Sequence, residues 1–198
     1  MITAQKASEL FQNSIMQWHL EERPTKNLFD ENSIKFVLFK KNQIDTIQWH
    51  KEDEIRRTDL DPGTFMLLKR EIDLLNQQRT DVVEKMDDLF LEFYKGFMIQ
   101  SEAKLNSESP AWLLDRMSIL ELKIFHMEEQ SKRIDISLVQ KNLNEQKFLT
   151  LKEQRSDLIN CFTELIQDRI LGNKYFKVYR QMKMYNDPEL NPSLYRKK

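Results

Sequence analysis

The chain has 198 residues and a mass of 24.0 kDa, enough to bury a sizeable core without disulfides or a structural metal. Charged residues make up 32%, yet the net charge is −1, so electrostatics give no reason to expect nucleic acid or an anionic membrane as partner. Cys161 is the one cysteine, which excludes an internal disulfide, and no segment approaches the ~18 apolar residues that cross a bilayer. The N-terminal residues lack the apolar run of a signal peptide, so the expectation is a cytoplasmic protein.

Gly occurs 3 times and Pro 5 times, a scarcity that fits long unbroken helices. From Thr3 to Trp18, Leu10, Phe11, Ile15 and Trp18 follow a helical spacing. The polar stretch Glu21 to Asn32, with Pro24, reads as a linker. Ser33 caps a helix predicted to run to about Arg57. Asp61-Pro62-Gly63-Thr64 is a turn signature, followed by a long helix from Thr64 to Tyr94. Ser109-Pro110 starts a helix to about Arg133, because Pro at the first helical position lacks only an N–H that would be unpaired anyway. A last long helix spans Ser137 to Leu171, with Gly172 as its stop. Asn173 to Tyr185 is predicted as one more short helix, and the tail after it as irregular. Its basic and aromatic residues, from Lys174 to Arg180, suit an amphipathic helix docked on the bundle.

Sliding the chain against itself by 76 positions aligns His50 with His126, Asp53 with Glu129 and Arg57 with Arg133. In the same register Leu75 meets Leu151, and Gln78-Arg79-Thr80-Asp81 meets Gln154-Arg155-Ser156-Asp157. The expected fold is therefore all-α. Two pseudo-symmetric helical hairpins form a four-helix bundle, and additional helices pack on its outside. The expected organisation is residues 1–32 as N-terminal helix and linker, 33–172 as the duplicated bundle and 173–198 as short helix and tail. Repeat 1 covers about 33–95 and repeat 2 about 110–171.

Arg79 and Arg155 each occupy a position where the 3–4 spacing asks for a hydrophobe. A guanidinium cannot shed its proton, so it needs an acceptor. His50 with Asp53, and His126 with Glu129, lie on one face of the preceding helix and offer one. Three readings of these residues fit. One is a buried polar network that sets helix register. The second is a pocket for a phosphate or carboxylate, lined by His50, Asp53, Arg79, His126, Glu129 and Arg155. The third is a Mg2+ site of Glu52, Asp53, Glu84 and Asp87, which would hydrolyse phosphoanhydrides; the arginines would oppose a cation there. The favoured reading needs no cofactor. Trp49 and Phe125 are expected in the core, His19 as an ordinary surface or packing residue, and Cys161 as a buried, inert thiol.

The motifs Trp49-His50-x-Glu52-Asp53-x-x-Arg56 and Ile72-Asp73-x-Leu75-Asn76-Gln77-x-Arg79-x-Asp81 resemble the bacterial domain-of-unknown-function family 4254 (DUF4254). So do Ser109-Pro110-x-Trp112-x-x-Asp115-Arg116-x-Ser118-Ile119-Leu120, Lys123-Ile124-x-His126-Met127 and Met184-Tyr185-Asn186-Asp187-Pro188. The likeness covers nearly the whole chain. It implies no established activity. It does imply a link to envelope polysaccharide assembly, hence a sugar-phosphate ligand and a glycosyltransferase-type protein partner. A purely structural role beside such an enzyme is the remaining expectation.

Overall fold

A computed structural model describes residues 2–182, 184 and 187–196. Five long helices carry the fold: α1 (Ala4–Glu21), α2 (Ile34–Glu54), α3 (Pro62–Tyr94), α4 (Pro110–Ser131) and α5 (Leu138–Leu171). Two three-residue strands, β1 (Lys104–Asn106) and β2 (Lys174–Phe176), pair in parallel, and α6 (Pro192–Tyr195) is a single turn. The protein is all-α apart from that small sheet. Among the described residues no helix is long and apolar enough to cross a membrane.

Local chemistry sets the helix starts. The side chains of Thr3, Ser33 and Ser137 accept backbone N–H groups that the first turns of α1, α2 and α5 leave unpaired. Asp61 does the same for Gly63 and Thr64, so the sequence expected as a turn is the N-terminus of α3, with Pro62 inside it. Gly172 closes α5 at φ 77°, and a Cβ there would lie 2.8 Å from the Met98 carbonyl oxygen. Both the left-handed backbone and the close approach require glycine.

Helices α2 and α3 pack antiparallel, since Lys51 reaches Glu71 (3.0 Å) while Gln48 Nε2 donates to Asn76 Oδ1 (3.0 Å). Helices α4 and α5 do likewise, with Asn144 beside Gln130 and Arg155 beside Glu121. One hydrophobic core joins Phe11 of α1, Leu38 of α2, Met86 and Phe90 of α3, Leu114 and Met117 of α4, and Phe162 of α5. Helix α1 thus does not lie outside the hairpins. Ala7, Phe11 and Ile15 are buried, and α1 packs on α2, α4 and α5. Its small residues, Ala4, Ala7 and Ser8, let it approach closely.

The segment after Gly172 is also not the predicted helix. Lys174–Phe176 pairs with β1 and buries Phe176 against Tyr94, so backbone pairing with the 104–106 segment wins over local helix propensity. The end of that predicted helix, Tyr185, and the adjoining Asn186 lie outside the described residues. The tail expected to be irregular holds the α6 turn, capped by Asn191.

Candidate functional site

Arg79 and Arg155 are half-buried and paired, as the core position demands, but not with the predicted carboxylates. Arg79 donates from Nε and Nη2 to Asp115 Oδ1 (2.9 Å) and Oδ2 (2.7 Å), and lies 3.8 Å from Asp45. Arg155 approaches Glu121 at 3.5 Å. The register explains the change. With Gln48 level with Asn76, Arg79 stands level with Asp45, and Asp53 lies eight residues farther along, about 12 Å at 1.5 Å per residue. With Gln130 level with Asn144, Arg155 stands within two residues of Glu121, and Glu129 is again too far. Arg57 and Arg133, aligned by the 76-residue shift, pair at the surface with Asp59 and Asp135.

Around Arg79 is a buried network that sequence reasoning missed. Lys41, 0% exposed, pairs with Asp45 and with Asp115 (3.0 Å). Ser118 Oγ donates to Asp45 (2.6 Å) and accepts from Asn42 Nδ2 (3.0 Å). Ser8 of α1 donates to Glu121. Burial pushes the Asp45 carboxyl above its ordinary value, and Lys41 opposes this. Burial acts the same way on Asp115, but Lys41 and Arg79 outweigh it and hold that carboxyl low. Lys41 and Arg79 balance Asp45 and Asp115 charge for charge. The network therefore neutralises itself, ties α2, α3 and α4 together, and commits the Nε–Nη2 edge of Arg79 to Asp115. The signal was present: Lys41 and Asp45 sit four apart just after the apolar run Phe36 to Phe39, and Asp115 follows Leu113 and Leu114.

The two histidines do meet. His50 of α2 and His126 of α4 have ring centroids 5.7 Å apart. His19, expected to be ordinary, joins them from the last turn of α1, 5.2 Å from His50 and 5.1 Å from His126. These are all three histidines of the chain. Trp49 and Phe125, expected in the core, are only partly buried and pack on the cluster: Trp49 stacks on His126 (4.9 Å) and Phe125 packs on His19 (4.2 Å). Burial lowers the His50 pKa, as do the neighbouring rings of His19 and His126, against the pull of Asp53 and Glu129. The signal for His19 was its place at i+4 and i+8 from the buried residues Ile15 and Phe11.

His126 is also part of the wall of an open cavity of about 730 Å3. Trp49 and Asp53 of α2, Lys123 of α4, and Lys147 and Leu151 of α5 line it. A second cavity of about 430 Å3 shares Trp49 and Asp53 and adds Glu52, Arg56 and Arg79. Of the predicted anion-binding set, Asp53 and His126 thus reach the larger cavity and Arg79 the smaller one.

The carboxylates of the Mg2+ alternative do not assemble. Glu52 pairs with Arg56, while Glu84 lies near Arg180 on the far half of α3. Asp87, on the same half, is buried with Oδ1 unpartnered. Among the described residues, the group of His, Cys, Asp and Glu side chains spaced to hold a metal is His19, His50 and His126. Cys161 is exposed, because the buried stripe of α5 runs through the adjacent Phe162 and Leu165.

Five core helices with a charge-balanced interior network and a histidine cluster at one end define the class of protein. Residues 35–178 match the family model described as a protein of unknown function, DUF4254, and the chain belongs to that family. Neither a curated protein nor a solved structure matches it. The matched range holds His50, His126 and the ion network except Ser8; α1 and His19 precede it.

Proposed function

We propose that the protein binds a small anionic ligand containing a phosphate or sugar phosphate in the 730 Å3 cavity beside His126. The supporting observation is the wall chemistry. Lys123 and Lys147 reach the cavity, and among the described residues neither has an ion pair within it or elsewhere. Trp49, Met127, Leu143 and Leu151 supply apolar surface around them. A concave, mostly apolar site of a few hundred Å3 with a few convergent polar groups is the usual form of a small-molecule pocket. Two unpaired ammonium groups outnumber the one carboxylate of that wall, Asp53, and favour an anion. The lysines thus take the role that sequence reasoning gave to Arg79 and Arg155, whose charges are already matched.

The duplication belongs to the same reading. Helices α2 and α4 start 76 residues apart (110 − 34), as do α3 and α5 (138 − 62). Arg79 beside Asp45 corresponds to Arg155 beside Glu121 at that spacing. A doubled hairpin brings His50 and His126 to one end, and α1 then closes over them.

Calorimetric titration of the full chain with sugar phosphates and nucleotides tests the ligand. A Lys123→Ala/Lys147→Ala double variant should weaken any binding by about tenfold or more, from the loss of two charged contacts at roughly 1 kcal/mol each. Failure of every anion to bind, or binding indifferent to both lysines, rejects the proposal.

A further inference from the structure

We propose that His19, His50 and His126 form a binding site for a divalent transition-metal ion of the zinc class. The argument begins with their hydrogen bonds. His19 Nδ1 lies 2.7 Å from the Ile15 carbonyl oxygen, which can only accept. The proton is therefore on Nδ1, and Nε2 carries a bare lone pair. His126 Nδ1 lies 3.0 Å from Glu129 Oε2, and donation to that carboxylate leaves its Nε2 bare in the same way. The Nε2 atoms of all three rings are buried without a hydrogen-bond partner. Buried polar atoms are ordinarily paired, and three orphans in one cluster call for a common partner.

Geometry points to what that partner is. One ligand atom from each ring lies within 4.8 Å of the others. Zinc bonds of ~2.1 Å in a tetrahedron place ligand nitrogens about 3.4 Å apart, so each ring has to move by only about 1 Å to close on an ion. The Nδ1 bonds to a backbone carbonyl and a carboxylate are the outer contacts that orient metal-bound imidazoles. Imidazole donors select zinc, copper, nickel or cobalt over magnesium and calcium. Two carboxylates stand beside the cluster: Glu129, bonded to His126 Nδ1, and Asp53, which shares a cavity wall with His126. The arginines that sequence reasoning set against a metal are taken up by Asp115 and Glu121.

The three ligands come from three helices, so the ion would tie the end of α1 to α2 and α4. Three protein ligands also leave one position for water or a ligand atom. Because His126 is part of the cavity wall, that ion would lie beside the proposed anion site. The metal proposal stands whether or not an anion binds there.

The test uses the full chain without a polyhistidine tag, stripped with chelator and titrated with Zn2+, Co2+ and Mg2+ in the absence of any anionic ligand. The expected result is one equivalent of Zn2+ retained through gel filtration, a raised Tm with Zn2+ and none with Mg2+, and visible bands from Co2+. His19→Gln, His50→Gln and His126→Gln should each weaken Zn2+ binding by about a hundredfold, and Glu129→Gln by about tenfold. Circular dichroism separates lost binding from lost folding. Shifts of the wild-type imidazole NMR resonances on adding Zn2+ give a reading that needs no variant. Substoichiometric Zn2+ with unmoved imidazole signals, or full binding by the triple glutamine variant, overturns the proposal.

Discussion

The two hairpins have helices of nearly equal length but spend their burial differently. In the first, α3 buries ten of its 33 residues and α2 eight of 21. In the second, α5 buries only four of 34, while α4 buries eleven of 22. Helix α4 is central, touching α1, α2, α3 and α5, whereas α5 is anchored mainly by Phe162, Leu165 and Arg169. Toward its N-terminus α5 projects apolar side chains into solvent, among them Leu138, Val139 and Leu149 (56% exposed), with Ile134 (94%) in the preceding turn. Ile72, Leu75 and Val82 of α3 are buried, whereas Phe148, Leu151 and Leu158 of α5, each 76 residues farther on, are only partly buried, because less packs on α5. The ion pairs differ in the same sense: Arg79 is held by a two-point bond from the other hairpin, and Arg155 by one long contact.

The sharpest way to break this contrast is at the anchor of α5. Phe162→Ala should cost about 3–5 kcal/mol and lower the Tm on the order of 10 °C in a calorimetric scan, since Phe162 is fully buried against Phe90. Asp115→Asn should be nearly as severe, about 3–5 kcal/mol by urea titration, because Lys41 and Arg79 lose a buried counter-charge. Arg155→Ala should cost about 1 kcal/mol, and an equal cost for the two would show the contacts to be equivalent.

Asp87→Asn should act in the opposite direction. Burial raises the Asp87 carboxyl from its ordinary 3.8, with Asp88 and Glu84 adding to the effect. A raised carboxylate pKa favours folding below about 3.8 and disfavours it as pH rises through the folded value, so the ionised group is a burden at neutral pH. The asparagine variant should melt a few degrees higher than wild type at pH 7.5, with the gain shrinking toward pH 4. A gain that grows on acidification contradicts the sign. The smallest effect belongs to the exposed half of α5: Leu149→Ser should change stability by no more than about 0.5 kcal/mol. A larger loss would mean that this face is covered in solution.

Much of the fold is legible in the amino-acid sequence alone. The capping residues Thr3, Ser33 and Ser137, the Ser109-Pro110 start and the Gly172 stop place the long helices within a few residues, because capping is a local affair of one turn. The need of Arg79 and Arg155 for an acceptor is also legible, since it follows from charge and burial alone. Which acceptor each finds is not. That choice depends on how far one helix slides along another and on which helix crosses it: a shift of two turns puts Asp45 and Glu121 where Asp53 and Glu129 were expected, and Asp115, the two-point partner of Arg79, comes from α4. Periodicity reports the face a residue occupies, not its height on a neighbouring helix. The convergence of His19 with His50 and His126 depends on the same thing. A residue of α1 acquires its partners only when the loop after it folds back and α1 packs against both hairpins, a long-range event with no local signature in the chain.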